Sequence, residues 1–319
     1  MNNLLRLIGR RLIAFPVMVI GVTFLVFFLM SLSPISPEAG LVSVDATPEM
    51  REKVRQEYGF DDPFFVQFGR YLWNLCQGDL GVYAPDKRPV IDAIGAALPI
   101  TLQLTFLGLL IALVVSFPLG VLAAIYRDRW PDQVIRVISV ICIGTPSFWL
   151  AVLLVMGFMD SSFFKVSIGK QLPGMFENFP LWFACMFLPA VTLAIPVIGQ
   201  MTRVVRTSVV EELDRDYVRT ALGAGIPKAV VIGRNVLRNA LITPVTVLGL
   251  RVGYLMGGAV VIEIIFNINA MGKLLISGVN NSYTALVQGC ALVVAVAFII
   301  VNIVVDILYL LINPRIRSV

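Results

Sequence analysis

Long apolar runs dominate this chain, separated by short clusters of Lys, Arg, Pro and Gly. A helix that crosses about 30 Å of hydrocarbon needs about 20 mostly apolar residues. Six runs reach that length: 12–32, 100–125, 137–159, 181–201, 241–266 and 286–312. The pattern predicts an all-α integral membrane protein with six transmembrane helices and both termini on one side. The first run follows a basic start (Arg6, Arg10, Arg11) and ends at small residues (Ser31, Ser33), as a removable signal peptide would. It exceeds the roughly 7–15 residues of a signal core, so it reads as a retained anchor.

Two connecting segments are too long to be simple links. Segment 33–99 contains a helical stretch at 47–58, with Thr47 as N-cap and Pro48 in its first turn. Phe60, Phe64, Phe65, Phe68, Tyr71, Leu72 and Trp73 supply apolar area to dock this segment on the bundle, although any loop of this length must bury something to stay ordered. Segment 202–240 reads as helix, sharp turn, helix. In the first helix, 208–222, Glu211, Glu212, Asp214 and Asp216 lie near the start and Arg219 near the end, which suits the helix dipole. Gly225 offers a stop and Pro227 a start for a second helix, 227–239. Val218, Ala221, Leu222, Ile226, Val230 and Val231 give the turn an apolar shoulder. Such a patch fits a protein partner or an interfacial seat on lipid headgroups.

Composition narrows the chemistry. The 319 residues are 58% hydrophobic and 14% charged, and mean hydropathy is +0.88. The absence of histidine removes His-based triads, zincin motifs and imidazole relays. Of the four cysteines, Cys142, Cys185 and Cys290 lie in apolar runs, which argues against a disulfide framework. Fifteen of the 25 Lys and Arg fall in the pieces before span one, between spans two and three, between four and five, and after six. The positive-inside rule therefore places both termini in the cytoplasm. That bias accounts for the net charge of +5, and nucleic-acid binding is not suggested.

No G-x-x-x-x-G-K-[ST] occurs, so any nucleotide must be bound by another chain. Ser162 and Lys165 match S-x-x-K without its companion motifs. Asp306 has no second intramembrane Asp to make a protease pair. Arg251, Glu263 and Asp306 are ionisable residues within or at the edge of spans, and either line a translocation path or pair between helices. An ion-gradient-driven transporter is the rival architecture. Such folds commonly show internal repeats, and none is evident here.

The stretch from Asp216 through Tyr217, Val218, Arg219, Thr220, Ala221, Leu222, Gly223 and Ala224 to Gly225, followed by Leu237-Arg238-Asn239-Ala240-Leu241, resembles the cytoplasmic EAA loop of type I ABC importer permeases. The peptide/nickel class is the most similar, which implies short peptides as cargo, with nickel or a metal chelate as the alternative. The EAAxxxG positions fall on Arg219, Thr220, Ala221 and Gly225. Tyr58-Gly59-Phe60-Asp61-Asp62-Pro63, Gly78-Asp79-Leu80-Gly81, the 117–124 stretch, Val304-Val305-Asp306 and Asn313-Pro314-Arg315 also resemble family segments in the same order. Phe266-Asn267-Ile268-Asn269-Ala270-Met271-Gly272 stands where the family has FSWPGLG, and Pro244 sits one place later than usual.

The resemblance implies a permease core at 98–312 with a coupling loop at 202–240. It is preceded by an N-terminal tail, first span and extracytoplasmic segment at 1–97, and followed by a cytoplasmic tail at 313–319. It implies a second homologous permease, two ABC ATPase subunits that hold ATP and Mg, an extracytoplasmic substrate-binding protein, and a place in the bacterial inner membrane. The chain itself would carry no cofactor or metal and no catalytic residue. Swinging a two-state bundle from about 1:99 to 99:1 takes about 5.5 kcal/mol, against roughly 0–1 kcal/mol for an exposed salt bridge. Apolar docking is therefore expected through Tyr217, Val218, Ala221, Leu222 and Ile226. Asp216 and Arg219 would orient it, Gly225 would permit the close turn, and Thr220 and Pro227 belong to the same ATPase-coupling set.

Overall fold

The computed structural model describes residues 2–33, 36–43, 46–158 and 172–312, with side chains described between 13 and 305. The S-x-x-K residues Ser162 and Lys165 lie outside the described residues. Five described helices are long and apolar enough to cross a membrane: α1 (Asn2–Ser31, apolar from Ile13), α4 (Val90–Ile125), α7 (Phe179–Leu213), α11 (Ile242–Ile265) and α13 (Thr284–Ile312).

The third apolar run is not one helix. It is divided into α5 (Trp130–Gly144) and α6 (Ser147–Phe158), which meet at 96°. Pro146 explains where the break falls. A residue before proline is driven out of the helical region, and Thr145 sits at φ −82°, ψ 116°. Its hydroxyl donates to the Ile141 carbonyl at 2.7 Å, satisfying one of the acceptors at the end of α5. The expected span 137–159 is thus a bent pair whose first limb starts at Trp130.

α4 and α7 form the central pair. At about 1.5 Å per residue each exceeds 50 Å, so α7 extends past the hydrocarbon, and the expected span 181–201 covers only its middle. α4 likewise begins before residue 100, directly after a two-stranded antiparallel hairpin, β1 (Val82–Tyr83) and β2 (Arg88–Pro89). The core they form with α11 contains Leu104, Met186, Leu193, Met201, Leu255 and Ile262, all essentially buried. Small residues let the helices approach: a Cβ on Gly120 would lie 2.6 Å from Val205 Cβ. On α11, one on Gly249 or Gly253 would collide with Val305 or Phe298 of α13. This four-residue spacing of glycines is a packing device of membrane helices.

The N-terminal segment folds largely as its sequence suggests. In α2 (Pro48–Tyr58), Thr47 Oγ1 accepts the Met50 N–H, and Gly59 ends the helix at φ +65°. α3 (Phe64–Cys76) lays Phe64, Phe68 and Tyr71 against Phe24, Phe27 and Phe28 of α1, with ring centroids 5.3–6.1 Å apart. Phe65 and Trp73 point away and stay exposed. Gln67 Nε2 donates to the carbonyls of Phe60 and Asp62, fixing the corner between α2 and α3.

Candidate functional site: the elbow between α7 and α11

The segment expected to begin with a helix at 208–222 is built differently. α7 continues to Leu213, breaks at Asp214, and gives way to the short α8 (Asp216–Gly223). Glu211 and Glu212 therefore stand at the C-terminal end of α7, opposite to the dipole-favoured placement the sequence suggested. Only Asp216 occupies a first turn. Their partners offset the unfavourable position in part. Arg127 Nη1 donates to Asp214 Oδ2 at 2.8 Å, and Tyr217 Oη donates to Glu212 Oε1 at 2.8 Å.

The stop at Gly225 is formed as its sequence implies. Gly225 lies at φ +84°, its N–H donates to the Leu222 carbonyl at 3.0 Å, and the Ile226 N–H donates to the Ala221 carbonyl at 3.2 Å. This pair of bonds is a Schellman motif, which satisfies the last carbonyls of α8 and reverses the chain. Pro227 then leads into α9 (Lys228–Val230), a π-helical turn (Val231–Val236) and α10 (Leu237–Ala240), which run together into α11.

One hydrophobic cluster holds the elbow: Val205 and Val209 of α7, Val218 of α8, Val231 and Val236 of the π-turn, Ala240 of α10 and Ala124 of α4. Val218, expected to meet a partner, is 2% exposed and belongs to this internal cluster. Ala221 packs against the same cluster. The outward rim consists of Tyr217, Leu222, Ile226 and Val230, exposed by 37–47%. Tyr217 is held by Glu212 and by Asn239 Nδ2, which donates to its hydroxyl at 3.5 Å. Partial burial, with Glu212 beside it, raises its pKa above the ordinary phenol value. Thr220 Oγ1 donates back to the Asp216 carbonyl at 3.1 Å. Arg219 reaches Asp216 only at 3.8 Å, and both are fully in solvent.

Two of the three ionisable residues of the spans, Arg251 and Glu263, are not brought together. Arg251 and Glu263 share α11 but lie 12 residues apart, about 18 Å along its axis. Asp306 falls in α13, and its side chain lies outside those described. Glu263 is fully buried, and its Oε2 accepts the Gly272 N–H at 2.7 Å. Thr101 Oγ1 accepts the neighbouring Met271 N–H at 3.1 Å. Together they cap α12 (Met271–Asn280), whose first N–H groups have no intrahelical acceptor. Glu263 therefore faces protein and closes a helix end. Arg251 keeps a buried Nε with no hydrogen-bond partner among the described residues.

A further charged pair was not singled out by sequence. Asp132, in the first turn of α5, receives Arg206 of α7 through Nε and Nη2 at 2.6 and 2.7 Å. Arg206 had counted only as one more cytoplasmic cation. A contact between positions 74 apart leaves no periodic signal in a single chain. Among the described residues, no three His, Cys, Asp or Glu side chains gather as a metal site.

Comparison with known proteins places this architecture. The model of the binding-protein-dependent transport system inner membrane component matches residues 116–318, and its N-terminal companion matches residues 4–105. A Brucella abortus protein bearing the name of a peptide transport system permease is 39% identical, over 95% of this chain and 96% of its own. An Escherichia coli K12 protein named for a D,D-dipeptide transport system permease is 36% identical over 93% of each chain. The glutathione transport system permease of the same strain is 34% identical over 98% of this chain and 99% of its own. The crystal structure of an amino acid ABC transporter with histidines overlays on 70% of this chain and 94% of its own, with a TM-score of 0.49 at 15% identity. With both family models matched and relatives of this similarity aligned nearly end to end, the chain belongs to the inner membrane permeases of binding-protein-dependent transport systems.

Proposed function

We propose that this chain is half of the translocation pathway of an ATP-driven importer of short peptides. It does no covalent chemistry. A second, similar permease supplies the other half, two ATPase subunits carry ATP and Mg on the cytoplasmic side, and a binding protein delivers cargo from outside. The observation that carries this reading is the elbow. A Schellman-capped α8 stands at the end of a helix too long for the membrane and presents Tyr217, Leu222, Ile226 and Val230 outward while Val218 anchors it inward. An apolar rim on a rigid base suits docking on a second protein. The peptide, dipeptide and glutathione names of its relatives support the cargo class.

In this reading both termini are cytoplasmic, residues 1–97 form the anchor and outer segment, 98–312 the permease core with its coupling loop at 202–240, and 313–319 a tail. Co-expression with the neighbouring transport subunits, purification and reconstitution with the binding protein test it. ATPase subunits should co-purify, and peptide uptake should need ATP and survive collapse of ion gradients. Uptake by the purified chain alone, or uptake driven by an ion gradient, would overturn it.

A further inference from the structure

The elbow is joined to α5 by contacts more directional than apolar packing. The Asp132 side chain is fully buried, and its carboxylate is saturated with donors. Arg206 Nε reaches Oδ1 and Nη2 reaches Oδ2, the Asp128 N–H donates to Oδ2 at 2.9 Å, and Arg136 Nε stands 3.5 Å from Oδ1. Two helical turns further along α5, the Ser139 carbonyl lies 2.5 Å from where a Cβ on Gly199 would be, so the backbones of α5 and α7 touch there. The intervals 132–139 and 199–206 are equal and run in opposite directions, about 10 Å each. The two helices are therefore antiparallel in matched register. Two contacts thus tie α5 to the end of α7, and the Arg127–Asp214 bond ties the turn before α5 to the corner before α8, so the joined helices run from beside α8 to the bend after Gly144.

A need for stability does not explain such a pair. A buried ion pair is often no more stabilising than apolar residues of the same volume. What an arginine–carboxylate fork adds is a fixed angle between the groups it joins. We propose that Asp132 and Arg206 are positioning residues for coupling: they deliver a displacement of α8 to α5, and so to the bend at Thr145–Pro146. This rests on α8 being the ATPase-docking element.

The test uses the importer reconstituted with all its partner chains. Uptake of labelled trialanine per ATP hydrolysed is measured for wild type, D132N, R206K and the apolar pair D132L/R206M. In a background with Cys76 and Cys142 replaced by serine, nitroxides at V140C and L153C, on either side of the bend, report its response to ATP, Mg²⁺ and vanadate. In all three variants the amount of co-purified ATPase should stay at the wild-type level. Transport per ATP should fall about tenfold, within the usual range of a coupling effect, and the nitroxide distance should no longer respond to nucleotide. Wild-type coupling in D132L/R206M would overturn the proposal, because that pair fills the same space without the fork; D132N, whose amide oxygen can still accept the Asp128 N–H, separates loss of the fork from loss of that bond. Loss of the ATPase from the variants would also overturn it, by making the pair an assembly determinant. If wild type hydrolyses ATP without moving trialanine, the nitroxide distances alone decide. If wild type retains no ATPase, the docking role of α8 fails, and the coupling role falls with it.

Discussion

Gly225 and Glu263 each do a task that a different side chain would do worse, and each failure has a calculable size. Gly225 has open space around its α-carbon, so a side chain there is opposed by backbone conformation alone. The left-handed region costs an L-residue roughly 1–2 kcal/mol. Gly225→Val should lower the unfolding midpoint of the detergent-purified complex modestly and cut ATP-driven uptake more sharply, because the elbow's exit direction changes. Normal uptake by this variant would count heavily against α8 as the docking element. Glu263 accepts one N–H, and among the described residues its Oε1 has no hydrogen-bond partner. Glu263→Gln retains an acceptor for Gly272 and should stay close to wild type in chemical denaturation. Glu263→Ala strands the Gly272 N–H and should cost about 1–3 kcal/mol. Equal losses in the two variants would mean that the negative charge, rather than the cap, matters.

The helices were legible to different degrees. Those whose apolar runs carry no break, α1, α4, α7, α11 and α13, are located by length and composition, although α4 and α7 extend beyond the runs that announce them. α5 and α6 are not, because a run that is apolar on both sides of Pro146 carries no sign of how far the chain turns there. The carboxylates 211, 212, 214 and 216 were read as one helix start. Asp214 is instead a break, and what pins it is Arg127, at a distance no local pattern reveals. Gly225 and Thr47 were readable because a cap is a local device whose partners are within a few residues. Val218 was misplaced for the opposite reason: which face of an eight-residue helix turns inward depends on the valines of α7 and the π-turn. The glycine ladder of α11 makes its own prediction. Gly253→Leu drives a side chain into Phe298 of α13 and should destabilise the protein by about 1–3 kcal/mol, as overpacking does. A thermal shift assay would register this as a lower midpoint.

Seen as one object, the chain has two differently built ends. At one, α3 stacks its aromatic rings on α1, and Lys87 of the hairpin turn ties to Glu57 of α2 at 2.8 Å. At the other lies the elbow. The proposed topology puts the elbow in the cytoplasm and α2 on the opposite side. In a background with Cys76 replaced by serine, an impermeant maleimide should label K53C only from outside cells and K228C only in inverted vesicles. Labelling of both from one side would refute the six-crossing topology. The right-angled junction of α5 and α6 bears on the surroundings of the molecule. Neither limb, at 15 and 12 residues, can traverse the hydrocarbon unaided, since about 20 are required. Main-chain groups left open at such a corner tolerate no contact with acyl tails. Photoactivatable fatty acids should accordingly mark the circumference everywhere except beside Thr145, a lipid-free gap in the annulus reserved for polypeptide or a water-filled cavity.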